Sequence, residues 1–166
     1  MVNRCVYGFE GERIVQYVVS ISWELGFTKE AKREYVKRII NKLPVKAVDV
    51  TTASPDPKYR ALSPYYIVAN GVILGDFFHT IDTSDNEWVY PFIYFNWLSD
   101  YLKESIESVD YFLDVFHNPD NKGNGTQAYW CSLYKALVHM NKKEMLEDAD
   151  KFAEWYNSIT PVKIYL

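Results

Sequence analysis

Residues 15–27 read Val15-Gln-Tyr-Val-Val-Ser-Ile-Ser-Trp-Glu-Leu-Gly-Phe27. The odd positions carry Val15, Tyr17, Val19, Ile21, Trp23, Leu25 and Phe27, while Gln16, Ser20, Ser22, Glu24 and Gly26 fall between them. That is a period of two, with β-branched and aromatic side chains, and it predicts a strand across the whole stretch. Upstream, Val2 to Tyr7 followed by Gly8-Phe9-Glu10-Gly11 predicts a short partner strand and a turn, making a hairpin.

Downstream the period lengthens. Thr28 offers a helix N-cap, and Ala31, Tyr35, Val36, Ile39, Ile40 and Leu43 recur at helical spacing until Pro44 ends the segment. The remaining positions of this helix carry Lys29, Lys32, Arg33, Lys37, Arg38 and Lys42, a basic face open to solvent or to a polyanion. Val45 to Thr51 reads as a connecting strand, and residues 53–60 as a loop stiffened by Pro55 and Pro57. Two apolar runs, 65–69 and 72–78, then flank Asn70-Gly71. Asn-Gly between such runs predicts a type I′ hairpin, whose two central residues both need positive φ.

The back of the chain is predicted helical. Leu98, Leu102, Ile106, Val109, Phe112, Leu113 and Phe116 form one face of a helix over 91–116, broken once near 96–99, with Asp100, Glu104, Glu107, Asp110 and Asp114 on the solvated face. Thr126 caps a second helix to about Met140, and Asn141 with Glu144 resembles the capping box of a third. The tail from Pro161 to Leu166 reads as an edge strand. The expected class is α+β, one domain over 1–166. Its N-terminal mixed sheet (two hairpins, one helix, one connecting strand; residues 1–80) precedes a three-helix C-terminal part (88–159).

Composition narrows function only by exclusion. Fourteen Tyr, nine Phe and five Trp bring aromatics to 17%, suited to a core, a cleft or an interface. The net charge of −4 argues against a general nucleic-acid binder, yet it is unevenly spread. Residues 1–46 hold nine Lys/Arg against five Asp/Glu, and residues 47–166 hold nine against seventeen. No run approaches the roughly 20 apolar residues of a membrane helix, and no secretory leader is legible at the N-terminus. Cys5 and Cys131 cannot build a disulfide framework, so the expected location is cytoplasmic, with no membrane contact.

The order strand, helix, strand, proline loop, hairpin and helix over about residues 17–98 resembles the thioredoxin-like superfamily. The resemblance is carried by Pro57 to Gly71, similar to that family's proline, strand and turn. It implies that Pro64 is a cis proline facing the helix start at Gly26-Phe27-Thr28. The implied substrate groove is then Gly26, Phe27, Thr28, Ser63, Pro64 and Tyr65. No cysteine stands at the helix start, so the implied relative is redox-silent. A thioredoxin-like half followed by helices also resembles the glutathione transferase layout, which implies Thr28, Ser63 and Pro64 near a bound thiol.

His79 lies between Asp76 and Asp82, a set that could supply a general base or metal ligands. The loop 120–126 fails as a calcium loop, since Lys122 takes a ligand position and Cys131 stands where a bidentate Glu is needed. Walker, dinucleotide-binding, nucleophile-elbow and zincin motifs are all lacking. The expectation is therefore no catalytic residue, cofactor or metal, and a protein-interaction module of inhibitor, immunity or adaptor type. The alternatives are a small enzyme of the transferase layout or one using His79, and nucleic-acid binding through the helix at 29–42.

Overall fold

The computed structural model describes residues 1–81, 86–119 and 125–166. Strands β1 (Val2–Glu10) and β2 (Arg13–Ile21) form an antiparallel hairpin pairing Val2 with Ile21 and Glu10 with Arg13. Its two-residue turn starts at Gly11 with φ +63°, the requirement of a type II′ connection. The turn thus falls later than the Gly8–Gly11 stretch predicted. Gly8 lies within the strand, under the ring of Tyr111. β2 stops at Ile21, six residues short of the predicted end, because the ladder runs out where β1 ends. Residues 22–27 fold back onto helix α1 (Lys29–Asn41) instead: Trp23 stacks on Tyr35, and the Tyr35 hydroxyl donates to the Gly26 carbonyl at 3.2 Å and accepts from Leu25 N at 2.7 Å.

After α1 come β3 (Ala47–Asp49), α2 (Pro57–Arg60) and a 3-10 turn at Pro64–Tyr66. The small hairpin β4 (Val68–Ala69) and β5 (Val72–Ile73) follows, then α3 (Leu74–Phe78), α4 (Val89–Trp97) and α5 (Asp100–Glu107). Strand β6 (Tyr111–Leu113), α6 (Gln127–His139), a 3-10 turn at Lys143–Glu147, α7 (Ala149–Ser158) and β7 (Val162–Tyr165) complete the order. Asn70 and Gly71 take φ of +52° and +78°, as a type I′ turn needs. Only two residues on each side pair, however. Ser63 caps the 3-10 turn before them and Leu74 opens a helix after them.

The main sheet is mixed, in the order β3-β6-β1-β2-β7. β6 is antiparallel to β1 and parallel to β3, and β7 runs parallel to β2 at the edge. One of the five strands, β6, therefore comes from the part of the chain read as helical, while β7 is the edge strand expected of the tail. The predicted helix over 91–116 breaks after Trp97, as expected, but ends at Glu107 and gives way to β6. Phe112 faces one layer of the core while Tyr111 and Leu113 face the other. A short run that is apolar on every side reads alike as a buried helix or a central strand, and the open edges of β1 and β3 decide for the strand.

Each face of the sheet is covered. Val15, Tyr17, Val19 and Ile21 pack with Ala31, Tyr35 and Ile39 of α1. Cys5, Tyr7, Ile14, Val18 and Phe112 pack beneath α4 to α7, with α6 lying across β1 and β6. Burial of this kind contributes roughly 25 cal/mol for each Å² of apolar surface removed from water. The last helix starts from Asp148, whose carboxylate accepts from Lys151 N at 3.2 Å, not from Asn141. Asn141 closes α6 instead: its φ is +58°, its amide donates to Val138 O, and Lys142 N donates to Leu137 O, the two bonds of a Schellman motif.

Candidate functional site

β3 and β6 are parallel neighbours, and their C-terminal ends open into one cavity of about 410 Å³. Crevices at the carboxyl ends of parallel strands are where open α/β sheets hold ligands, and this volume lies within the usual small-molecule range. Asp49 is the last residue of β3, and Asp114 directly follows β6. The cavity is lined between them by Thr51, Thr52, Asp114 and Gln127 on the sheet side, and by Ser63, Pro64, Tyr65, Gly75 and His79 across from it. Phe78, Tyr90, Phe116 and Trp130 supply its apolar wall.

Two carboxylates anchor the sheet end. Asp114 is buried; it accepts from Phe116 N at 2.9 Å and from the Thr126 hydroxyl at 2.6 Å, which ties β6 to the start of α6. Asp49 is also buried, and Thr51 donates to it through its amide at 3.3 Å and its hydroxyl at 2.9 Å. Burial pushes the Asp49 carboxyl up to about 7, with the Asp114 charge adding to the rise and the Thr51 hydrogen bonds opposing it. His117, near Asp114, is lowered by burial, an effect the Asp114 charge opposes and Arg4 reinforces.

On the opposite rim, α3 is a single helical turn that presents Gly75 and His79 on the same side. The Tyr65 ring lies over Gly75, so close that a Cβ there would stand 2.6 Å from it, and the Tyr65 hydroxyl lies 2.8 Å from His79 Nε2. Of the candidate set around His79, Asp76 meets it through the backbone alone: the His79 amide donates to the Asp76 carbonyl at the end of α3. Asp82 lies outside the described residues, as do residues 120–124 of the loop before α6.

Of the groove residues, Ser63, Pro64 and Tyr65 line this cavity and Gly26, Phe27 and Thr28 do not. Gly26 (φ +83°) ends the loop after β2, Phe27 is exposed, and Thr28 caps α1 by accepting from Ala31 N at 3.1 Å. Their helix packs on the other face of the sheet from α6. Among the described residues no peptide bond is cis, and Pro64 opens a 3-10 turn rather than leading straight into a strand.

The basic helix is partly engaged within the chain. Arg38 pairs with Glu24 at 2.6 Å, Lys42 donates to Ser20 O, and Lys32 sits over the Phe116 ring. Both cysteines are buried thiols outside any disulfide, and burial pushes the Cys131 thiol up to about 12. Among the described residues no group of three or more His, Cys, Asp or Glu could hold a metal ion, and no helix is long and apolar enough to cross a membrane.

Asp49 and Asp114 were invisible as a pair in the sequence. Asp114 read as part of an exposed acidic stripe because the residues around it read as helix, and no local signal links it to Asp49. Comparison with protein-family models and with curated proteins finds no match to this chain.

Proposed function

We propose that this chain binds a flat organic small molecule in the cavity at the ends of β3 and β6. Tyr65 and His79 are placed to exchange a proton with it. The observation that carries this reading is convergence: a 410 Å³ cavity draws a buried carboxylate, a Tyr–His pair and four aromatic rings from separate segments. An aromatic-walled cavity with a few converging polar groups is the ordinary make-up of a ligand site. Tyr65 Oη lies 2.8 Å from His79 Nε2, a hydrogen bond along which a proton can pass between the phenol and the imidazole.

The test is a ligand-observed NMR screen of small aromatic and heteroaromatic compounds. Hits should be lost in Thr52→Phe, which fills the cavity from a side chain that makes no hydrogen bond among the described residues. Hits that bind the filled variant equally well would refute the reading.

A second reading is docking of another protein, favoured by one observation. Tyr65, Tyr66, Val68, Val72 and Ile73 expose apolar surface together along the β4–β5 hairpin. It expects Val68→Asp with Ile73→Lys to abolish co-purification of a partner while leaving the cavity's ligands bound. Retention of the partner by that double variant would sink it.

A further inference from the structure

We propose that the cavity selects amino-substituted nitrogen heterocycles, the adenine and cytosine type of ring, over their oxo counterparts. This rests on the reading that the cavity takes a flat ligand, and it goes further by assigning the ligand's polar edge.

The polar end of the cavity carries one buried carboxylate, Asp114, while Trp130 of the apolar wall keeps a buried indole N–H with no partner among the described residues. A carboxylate offers about four lone-pair sites, and among the described residues two side-chain acceptor bonds are made to Asp114, from Phe116 N and the Thr126 hydroxyl. It lines the cavity while buried, so an unmet acceptor there favours a ligand N–H. Gln127, the first residue of α6, also lines the cavity. Its Nε2 donates to Val50 O at 3.4 Å, which leaves a second N–H and the amide oxygen for a ligand. A donor and an acceptor on one planar amide match the neighbouring amino group and ring nitrogen of an aminoheterocycle, as they do when Gln or Asn reads adenine.

The same residues disfavour the competing classes. No lysine or arginine is among the described residues that line the cavity, so an acidic ligand would meet Asp114 with no counter-charge among them. An oxo group in place of the amino group would set its lone pairs against those of Asp114. The aromatic wall also argues for a ring over an alkylammonium. Trp130 lies nearly parallel to Tyr90, with centroids 6.4 Å apart, and Phe78 meets both edge-on at 5.8 and 5.0 Å. These rings pack on one another as one continuous surface for stacking, and do not stand apart as the walls of a cation cage.

The experiment measures binding of adenine against hypoxanthine and of cytosine against uracil by titration calorimetry, with benzylammonium as a third arm. The amino member of each pair should bind about tenfold more tightly, the worth of one hydrogen bond to a charged group. In Asp114→Asn that preference should shrink to about twofold. Gln127→Met, which keeps the helix and removes the amide, should weaken the amino member of each pair more than the oxo member and serves if Asp114→Asn fails to fold. Equal binding of amino and oxo members overturns this inference and leaves the flat-ligand reading standing. Binding of benzylammonium without the heterocycles overturns it too. Loss of every flat compound from the screen would instead remove the reading beneath it.

Discussion

The ring of Tyr65 lies directly over Gly75, and its hydroxyl reaches His79 Nε2 at 2.8 Å. The bareness of one glycine thus sets the geometry of a Tyr–His pair one helical turn away. Gly75 has an ordinary helical backbone, so its role is space and not conformation.

Gly75→Ala is expected to push the Tyr65 ring outward and break its bond to His79. Tyr65 is half exposed and free to swing away, so the destabilisation should stay near 1 kcal/mol, at the low end for overpacking. The imidazole nitrogen shifts of His79, read by NMR, should move to match those of Tyr65→Phe. Unchanged shifts would show that the pair does not depend on Gly75.

Asp49 makes stability depend on pH. Its carboxyl sits near 7 when folded against about 3.8 unfolded, so between those values the folded chain binds the extra proton. The contribution is fully present below about pH 4 and is lost as pH rises through 7. Asp49→Asn should flatten urea-derived stability over that window relative to the parent. Asp114→Asn should lower the pH at which the Asp49 carboxyl carbon titrates, because it removes the neighbouring charge. A stability profile that is as steep in Asp49→Asn as in the parent would show that other groups dominate.

Gly8 tests the antiparallel pairing of β1 with β6. Its partner is Tyr111, and a Cβ at Gly8 would stand 2.3 Å from that ring, which also bonds Glu10 through its hydroxyl. Gly8→Ala should therefore destabilise by roughly 1–3 kcal/mol. In a Tyr111→Ala background Gly8→Ala should cost less but not nothing, since the Asp110 carbonyl oxygen would still stand 2.9 Å from the new Cβ, and the double-mutant cycle measures that coupling directly. Additive losses would mean the two residues do not meet.

Asn141 holds a positive φ at the end of α6, which glycine adopts at no steric penalty and alanine does not. Asn141→Gly should leave thermal stability within a few tenths of a kcal/mol, while Asn141→Ala should cost about 1 kcal/mol. Equal stabilities for the two variants would count against the Schellman end.

Signals that act over a few residues were legible without the fold. The hairpin of β1 and β2, the Thr28 and Thr126 caps, the positive-φ Asn70-Gly71 turn and the edge strand at 162–165 all follow from local sterics and hydrogen bonding. Their lengths do not: β2 ends where β1 offers no further partner, and the 65–78 stretch pairs over only two residues before helical turns take over. Tertiary structure alone decided that Tyr111–Leu113 is a strand, because an apolar run takes its state from the neighbours it finds. It also decided the site. Ser63, Pro64, Tyr65 and His79 were singled out in the sequence and do share one cavity, yet Gly26, Phe27 and Thr28 do not join them. Asp49 and Asp114 lie 65 positions apart in the chain, and only the parallel pairing of β3 with β6 brings both to one sheet end. The raised carboxyl of Asp49 comes from burial beside Asp114, and burial is a property of the folded whole.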